Sequence, residues 1–129
     1  MKRTQVGSGA VWENHVGYSR AVRIGPYIEV SGSVAVDEQG AVVGPGDPYA
    51  QAHYILGKIM GVLEYLGAGP EQVIRTRMYV TDIRHWEEVG RAHGQFFGES
   101  RPATSMVEVS KLIGPDYLVE IEATAIATD

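Results

Sequence analysis

Residues 118–127 read LVEIEATAIA. Side chains of an extended strand alternate between faces, so Val119, Ile121, Ala123 and Ala125 fall on one side, and Leu118, Glu120, Glu122, Thr124 and Ile126 on the other. The first set is unbroken and apolar, so it must lie under a second layer, and its small alanines leave room for helices. The second set places two carboxylates among apolar residues. The same split puts Ile74, Thr76, Met78 and Val80, with Val107 and Val109, on the helix-covered side. It puts Arg75, Arg77 and Tyr79, with Thr104, Met106 and Glu108, beside the glutamates. A sheet face of that mixed kind fits contact with another subunit, with polar groups gathered in the cleft between them.

The rest of the chain supplies the layers. YSRAVRIG and YIEVSGSVAV are β-rich runs separated by Gly25-Pro26, the pattern of a hairpin, and they follow a loose N-terminal stretch. Asp47-Pro48 opens a helix over about 48–66, since Asp47 can accept from an orphan N–H and Pro48 has none to waste. Ala52, Ile55, Leu56, Ile59, Val62, Leu63 and Leu66 form its apolar face, and Gly67 is a left-handed stop. PEQVIRTRMYVTD reads as a short turn and a strand. Asp82 then caps a second helix, with Ile83, Trp86, Val89, Phe96 and Phe97 inward. RPATSMVEVSKL and the closing run are two more strands. The order is β-β-α-β-α-β-β, one α+β domain over residues 1–129 with both helices on one face of an antiparallel-rich mixed sheet.

Composition enters where it excludes. Eleven basic against sixteen acidic residues, a formal net charge of −5, give no general attraction to nucleic acid or an anionic membrane. The absence of cysteine removes disulfides, thiol catalysis and thiolate metal sites. No apolar h-region opens the chain and no window reaches the roughly 18 apolar residues of a membrane span, so a soluble, cytoplasmic protein is expected. His15, His53, His85 and His93 lack metal-ligand spacing, and no metal is expected. Ser31-Gly32 lacks the G-x-S-x-G frame of a nucleophile elbow and suits a pocket-lining turn.

YIEVSGSVAV, VIRTRMYVTDI, FFGESRPATSMVEVSKL and LVEIEATAIA, in this order, resemble the RidA (YjgF, L-PSP) family from about Tyr18 to Ala127. The resemblance implies a chorismate-mutase-like fold, a homotrimer, and small-molecule clefts between subunits. It also implies hydrolysis of reactive enamines and imines to keto acids and ammonia without a cofactor. Matched position by position, the family's water-handling glutamate falls on Glu120, its pocket tyrosine on Tyr18 and its Ser-Gly pair on Ser31 and Gly32. The family arginine that holds the substrate carboxylate falls on Thr104, and Met106 stands where the family often has cysteine. One neutral hydroxyl in place of a bidentate guanidinium weakens binding of an imino acid by about 2–5 kcal/mol. Either Arg20, Arg75, Arg77 or Arg101 reaches the anion instead, or the ligand differs. Two readings therefore stand: an imine-deaminase-type hydrolase of altered substrate choice, and a ligand-binding trimer that kept the cleft and lost the reaction. In the plainest alternative, the glutamates only pair with Arg75 and Arg77.

Overall fold

The structure, a computed structural model, describes residues 1–128. Its elements run β1 (Arg3–Val6), α1 (Val11–Val16), β2 (Ala21–Ile24), β3 (Tyr27–Ser33), α2 (Pro48–Tyr65), β4 (Val73–Val80), α3 (Trp86–Phe97), β5 (Ala103–Glu108) and β6 (Val119–Ile126). The strands form one mixed sheet in the order β1-β2-β3-β6-β4-β5. Only β4 and β5 run parallel; every other neighbouring pair is antiparallel. This is the expected α+β arrangement with two elements added. The N-terminal stretch expected to be loose is an edge strand, β1, paired to β2, followed by the short α1.

The expected β2–β3 hairpin is present, with Gly25 at φ 58 in its turn. Helix α2 starts where the sequence places it: the Asp47 carboxylate accepts from Ala50 N at 3.0 Å and Pro48 is the first helical residue. Gly67, at φ 89, ends the run. Ile55, Leu56, Ile59 and Leu63 are buried against the sheet, where α2 crosses β3 and β6, and α3 packs beside α2. Gln51, also fully buried, is no liability. Its amide donates to Gly44 O and Asp116 O and accepts from Leu118 N, tying two loops to the helix.

Three expectations about faces are corrected. In the second helix Val89 and Phe97 are buried, but Ile83 and Trp86 are exposed, because Asp82 caps a 3₁₀ turn over Ile83–His85 that rotates these residues outward before α3 begins. In β5 the alternation is shifted by one from the expected split. The parallel register pairs Thr104 with Thr76 and Met106 with Met78, so these two face the helix layer, and Ser105 and Val107 share the open face with Arg77 and Tyr79. Ile74 is likewise exposed, at a register shift between Val73 and Arg75. Among the described residues no helix is long and apolar enough to cross a membrane.

Candidate functional site

On the open face of β6 the two glutamates have different surroundings. Glu122 lies across from Arg77 and accepts from the Tyr79 hydroxyl at 3.0 Å and from Arg77 Nη1 at 3.5 Å. It is a cross-strand pair, and the plain structural reading holds for it. Glu120 receives no hydrogen bond from any described residue, although it is half-buried. Its pKa is raised, first by desolvation and then by the charge of Glu122, with Arg20 pulling the other way.

The strand beside it makes the space for that carboxylate. Between Val30 and Ser33 the β3–β6 register slips by a bulge, which carries Ser31 and Gly32. A Cβ at Gly32 would overlap the carboxylate of Glu120, so a residue without a side chain lets the acid lie directly on the β3 backbone. The Ser31 hydroxyl donates to Ser19 O at 2.7 Å. Its proton is spent on the backbone, which holds the bulge. Ser33, buried beneath the bulge, donates to Ser31 O at 3.1 Å and accepts from Arg20 Nη1 at 3.3 Å. Arg20 in turn lies 5.7 Å from the Tyr18 ring centroid. The structure thus brings Ser31, Gly32 and Glu120 together, and sets Tyr18 beside Arg20.

Thr104 and Met106 are not part of that gathering within one chain. The Thr104 hydroxyl is in a ladder with Thr76 at 2.7 Å and with Thr76 O at 3.2 Å, and Thr76 Oγ1 also meets His93 Nε2 at 2.8 Å. Burial lowers the pKa of His93, which suits a neutral ring in this ladder. Of the four arginines that could answer for a cation missing at Thr104, three are engaged elsewhere. Arg75 donates to Ser105, Arg77 to Glu122, and exposed Arg101, at φ 52, to Gly98 O at the end of α3. Arg20 is nine-tenths buried, and its charge is felt at Glu120.

Sequence reasoning did not single out Glu13 or Lys58, which also flank Arg20. Glu13 is buried and held by Ser8, whose N–H donates to it at 3.0 Å and whose hydroxyl donates as well. Lys58 donates to Val34 O and Val36 O. The one signal for α1 was Gly17, a left-handed stop at φ 90; a six-residue helix without a side-chain cap offers no period to read. Among the described residues no group of three or more acidic or imidazole side chains is placed to hold a metal ion.

Comparison with known proteins places this geometry. The sequence model of the family described as "Endoribonuclease L-PSP" matches residues 11–127. A RutC family protein of Pyrococcus abyssi is 33% identical over 108 residues, covering 84% of each chain. The crystal structure of a Mycobacterium tuberculosis member of the YjgF/YER057c/UK114 family is 49% identical, covers 98% of this chain and 100% of its own, and superposes with a TM-score of 0.88. A putative endoribonuclease of Thermotoga maritima is 28% identical with a TM-score of 0.87, each chain fully covered.

Proposed function

This chain belongs to the YjgF/RutC (endoribonuclease L-PSP) family, and from that premise we propose that it hydrolyses a reactive enamine or imine to a carbonyl compound and ammonia, without a cofactor, at Glu120. The observation that carries the reading is the contrast on β6: Glu122 is locked in a pair, whereas Glu120 is half-buried, without a hydrogen bond from any described residue, and seated on a glycine backbone. A carboxylate with raised basicity and no donor of its own is free to hold water. In the reaction Glu120 takes a proton from that water as its oxygen bonds to the imine carbon, and passes that proton to the imine nitrogen. Glu120 then takes the hydroxyl proton of the carbinolamine and gives it to the amino group as the C–N bond breaks, so that ammonia leaves and the carbonyl remains with Glu120 ionised again. Tyr18, Ser31 and Gly32 shape the pocket. A homotrimer closes the open face, and the edge strand β5 of a neighbouring copy brings Thr104 and Met106 to the cleft wall.

The test is an assay that supplies freshly generated 2-aminoacrylate and imino acids with larger side chains. Faster keto-acid release with wild type, lost in Glu120→Gln, is the expected result. No acceleration by wild type across the series would overturn the proposal. A second reading, a trimer that binds a small ligand without turning it over, is favoured by the Thr104 hydroxyl, which is committed to Thr76 and brings no positive charge to the anion-holding position. Saturable ligand binding with no turnover would select it. A net charge of −5 gives little support to RNA as the substrate, and an RNA cleavage assay at low salt checks that alternative.

A further inference from the structure

The Thr104 hydroxyl on the edge strand β5 ends a hydrogen-bond ladder that reaches into the helix layer. Its steps are His93 Nε2 to Thr76 Oγ1 at 2.8 Å, Thr76 Oγ1 to Thr104 Oγ1 at 2.7 Å, and Thr104 Oγ1 to Thr76 O at 3.2 Å. Thr76 is fully buried on β4, whereas Thr104 is exposed on β5 and His93 is half-buried on α3. The ladder thus joins an ionisable ring behind the sheet to a hydroxyl at the surface.

A hydroxyl has one proton, and that count fixes what the ladder can do. Thr76 Oγ1 has two side-chain partners; whichever it donates to, the other must donate to it. If His93 accepts, Thr76 donates inward, and Thr104 gives its proton to Thr76 and presents only lone pairs to the outside. If His93 donates from Nε2, Thr76 donates outward, and Thr104 has its proton left over. The inward acceptor for that proton is then Thr76 O, across the longest of the three contacts, so an oxygen arriving from outside competes well for it.

His93 chooses between the two orders. Its Nδ1 has no partner among the described residues and is not sealed from solvent. A proton taken up from water makes both ring nitrogens donors, and only the outward order survives. Among the described residues no charged side chain hydrogen-bonds or ion-pairs with this ring. It meets Thr76 on β4, the Phe97 ring on its own helix at 4.7 Å between centroids and, through Thr76, the hydroxyl on β5. Burial is the one cause that lowers its pKa, so the ring is neutral at pH 7 and charges only in acidic solution.

We propose that His93 is a positioning residue that sets the hydrogen-bond polarity of Thr104. The protonated ring makes Thr104 a donor to a ligand carboxylate; loss of that proton lets the hydroxyl turn inward and favour a neutral group that donates, such as an amide. The ring acts through Thr76 and touches no ligand. The inference rests on the proposed function in one respect, that a neighbouring copy presents Thr104 to the Glu120 cleft.

Pyruvate and pyruvamide, alike in size, serve as probes, because one presents a carboxylate and the other an amide N–H. Binding to the full chain is followed by calorimetry and by ¹H–¹⁵N spectra at the Thr104 amide, from about pH 7.5 down to about pH 5, a range that spans and extends below the ordinary imidazole value. The Glu120→Gln background keeps the titration of Glu120 out of the result. The affinity of pyruvate relative to pyruvamide should rise by about threefold or more as pH falls through the His93 titration, the worth of one charge felt across a short ladder. The ratio should stay flat in His93→Gln, which has no proton to gain, and in Thr76→Val, which keeps the ring but cuts the ladder. A flat ratio in the Glu120→Gln background, a rise that persists in either ladder variant, or no binding of either probe would overturn the proposal. If His93→Gln fails to fold, Thr76→Val, close to threonine in shape, carries the test alone. Imine turnover by wild type is scored separately. Turnover with a flat ratio sinks the ladder and leaves the Glu120 reading standing; a rising ratio without turnover does the reverse.

Discussion

On the β4 side of β6, Glu122 is paired with Arg77 and Tyr79; two residues earlier on the same strand, Glu120 lies over the β3 bulge with no described residue donating to it. The two share residue type, strand and face, and differ only in their neighbours. On β4 the register places a cation, Arg77, opposite Glu122, and Tyr79, which stands opposite Glu120, gives its hydroxyl to Glu122 along the diagonal. On β3 the extra residue and the glycine remove side chains from the place where a partner would stand. A sheet becomes a site, on this comparison, where its pairing is locally withheld.

The contrast can be broken most directly by exchanging one charge at a time. Glu120→Gln should reduce imine hydrolysis by about 10²–10⁴-fold, the usual worth of a positioned general base. Glu122→Gln should cost less than about tenfold, as expected of a group that only braces the sheet, and equal losses would erase the distinction. Next comes Gly32→Ala. The atom it would meet is the far end of the Glu120 side chain, so the carboxylate should swing aside and the fold persist. Turnover should fall by up to about 100-fold, as for a misplacement of about 1 Å, with a nearly unchanged melting temperature.

Smaller effects sharpen the electrostatics. Turnover should climb as pH rises through the raised pKa of Glu120, because the base works ionised. Glu122→Gln should move that acid limb down, by removing a charge that raises the pKa, and Arg20→Met should move it up. Shifts in the same direction would contradict the assigned causes. Stability has its own sign: a carboxyl whose folded pKa exceeds its unfolded one stabilises below the unfolded value, and that contribution is lost as pH rises through the folded value. Glu120→Gln should therefore gain on wild type in melting temperature between acidic and neutral pH. Least of all, Asp47→Ala should cost about 1 kcal/mol through the lost cap of α2 and leave turnover unchanged, which shows that stability alone does not separate the two glutamates.

What was readable beforehand was readable for local reasons. Asp47-Pro48 and Gly67 bracket α2 through hydrogen bonds and dihedral limits that involve only their immediate neighbours. The alternation in β6 placed Val119, Ile121, Ala123 and Ala125 under the helices. The β5 split failed because five or six residues alternate equally well in either phase. Only the parallel register with β4 fixes Thr104 and Met106 toward the helix layer. The 3₁₀ turn before α3 exposes Trp86 in the same way: a cap residue marks a beginning without stating the kind of helix. The resemblance to the family led to Glu120, Ser31 and Gly32, but not to the ring of charges around Arg20. Glu13, Arg20 and Lys58 come from α1, the residue before β2, and α2, and no spacing in the sequence relates them.

The sequence by itself determined the helix ends, the apolar face of β6 and the presence of two carboxylates on its other face, since each follows from backbone geometry and side-chain period over a few residues. Tertiary structure alone decided which of those carboxylates is paired and which receives no hydrogen bond from any described residue, and that Glu13 and Lys58 come to surround the buried Arg20. Desolvation and pairing depend on groups distant in sequence, which come together only when the sheet closes.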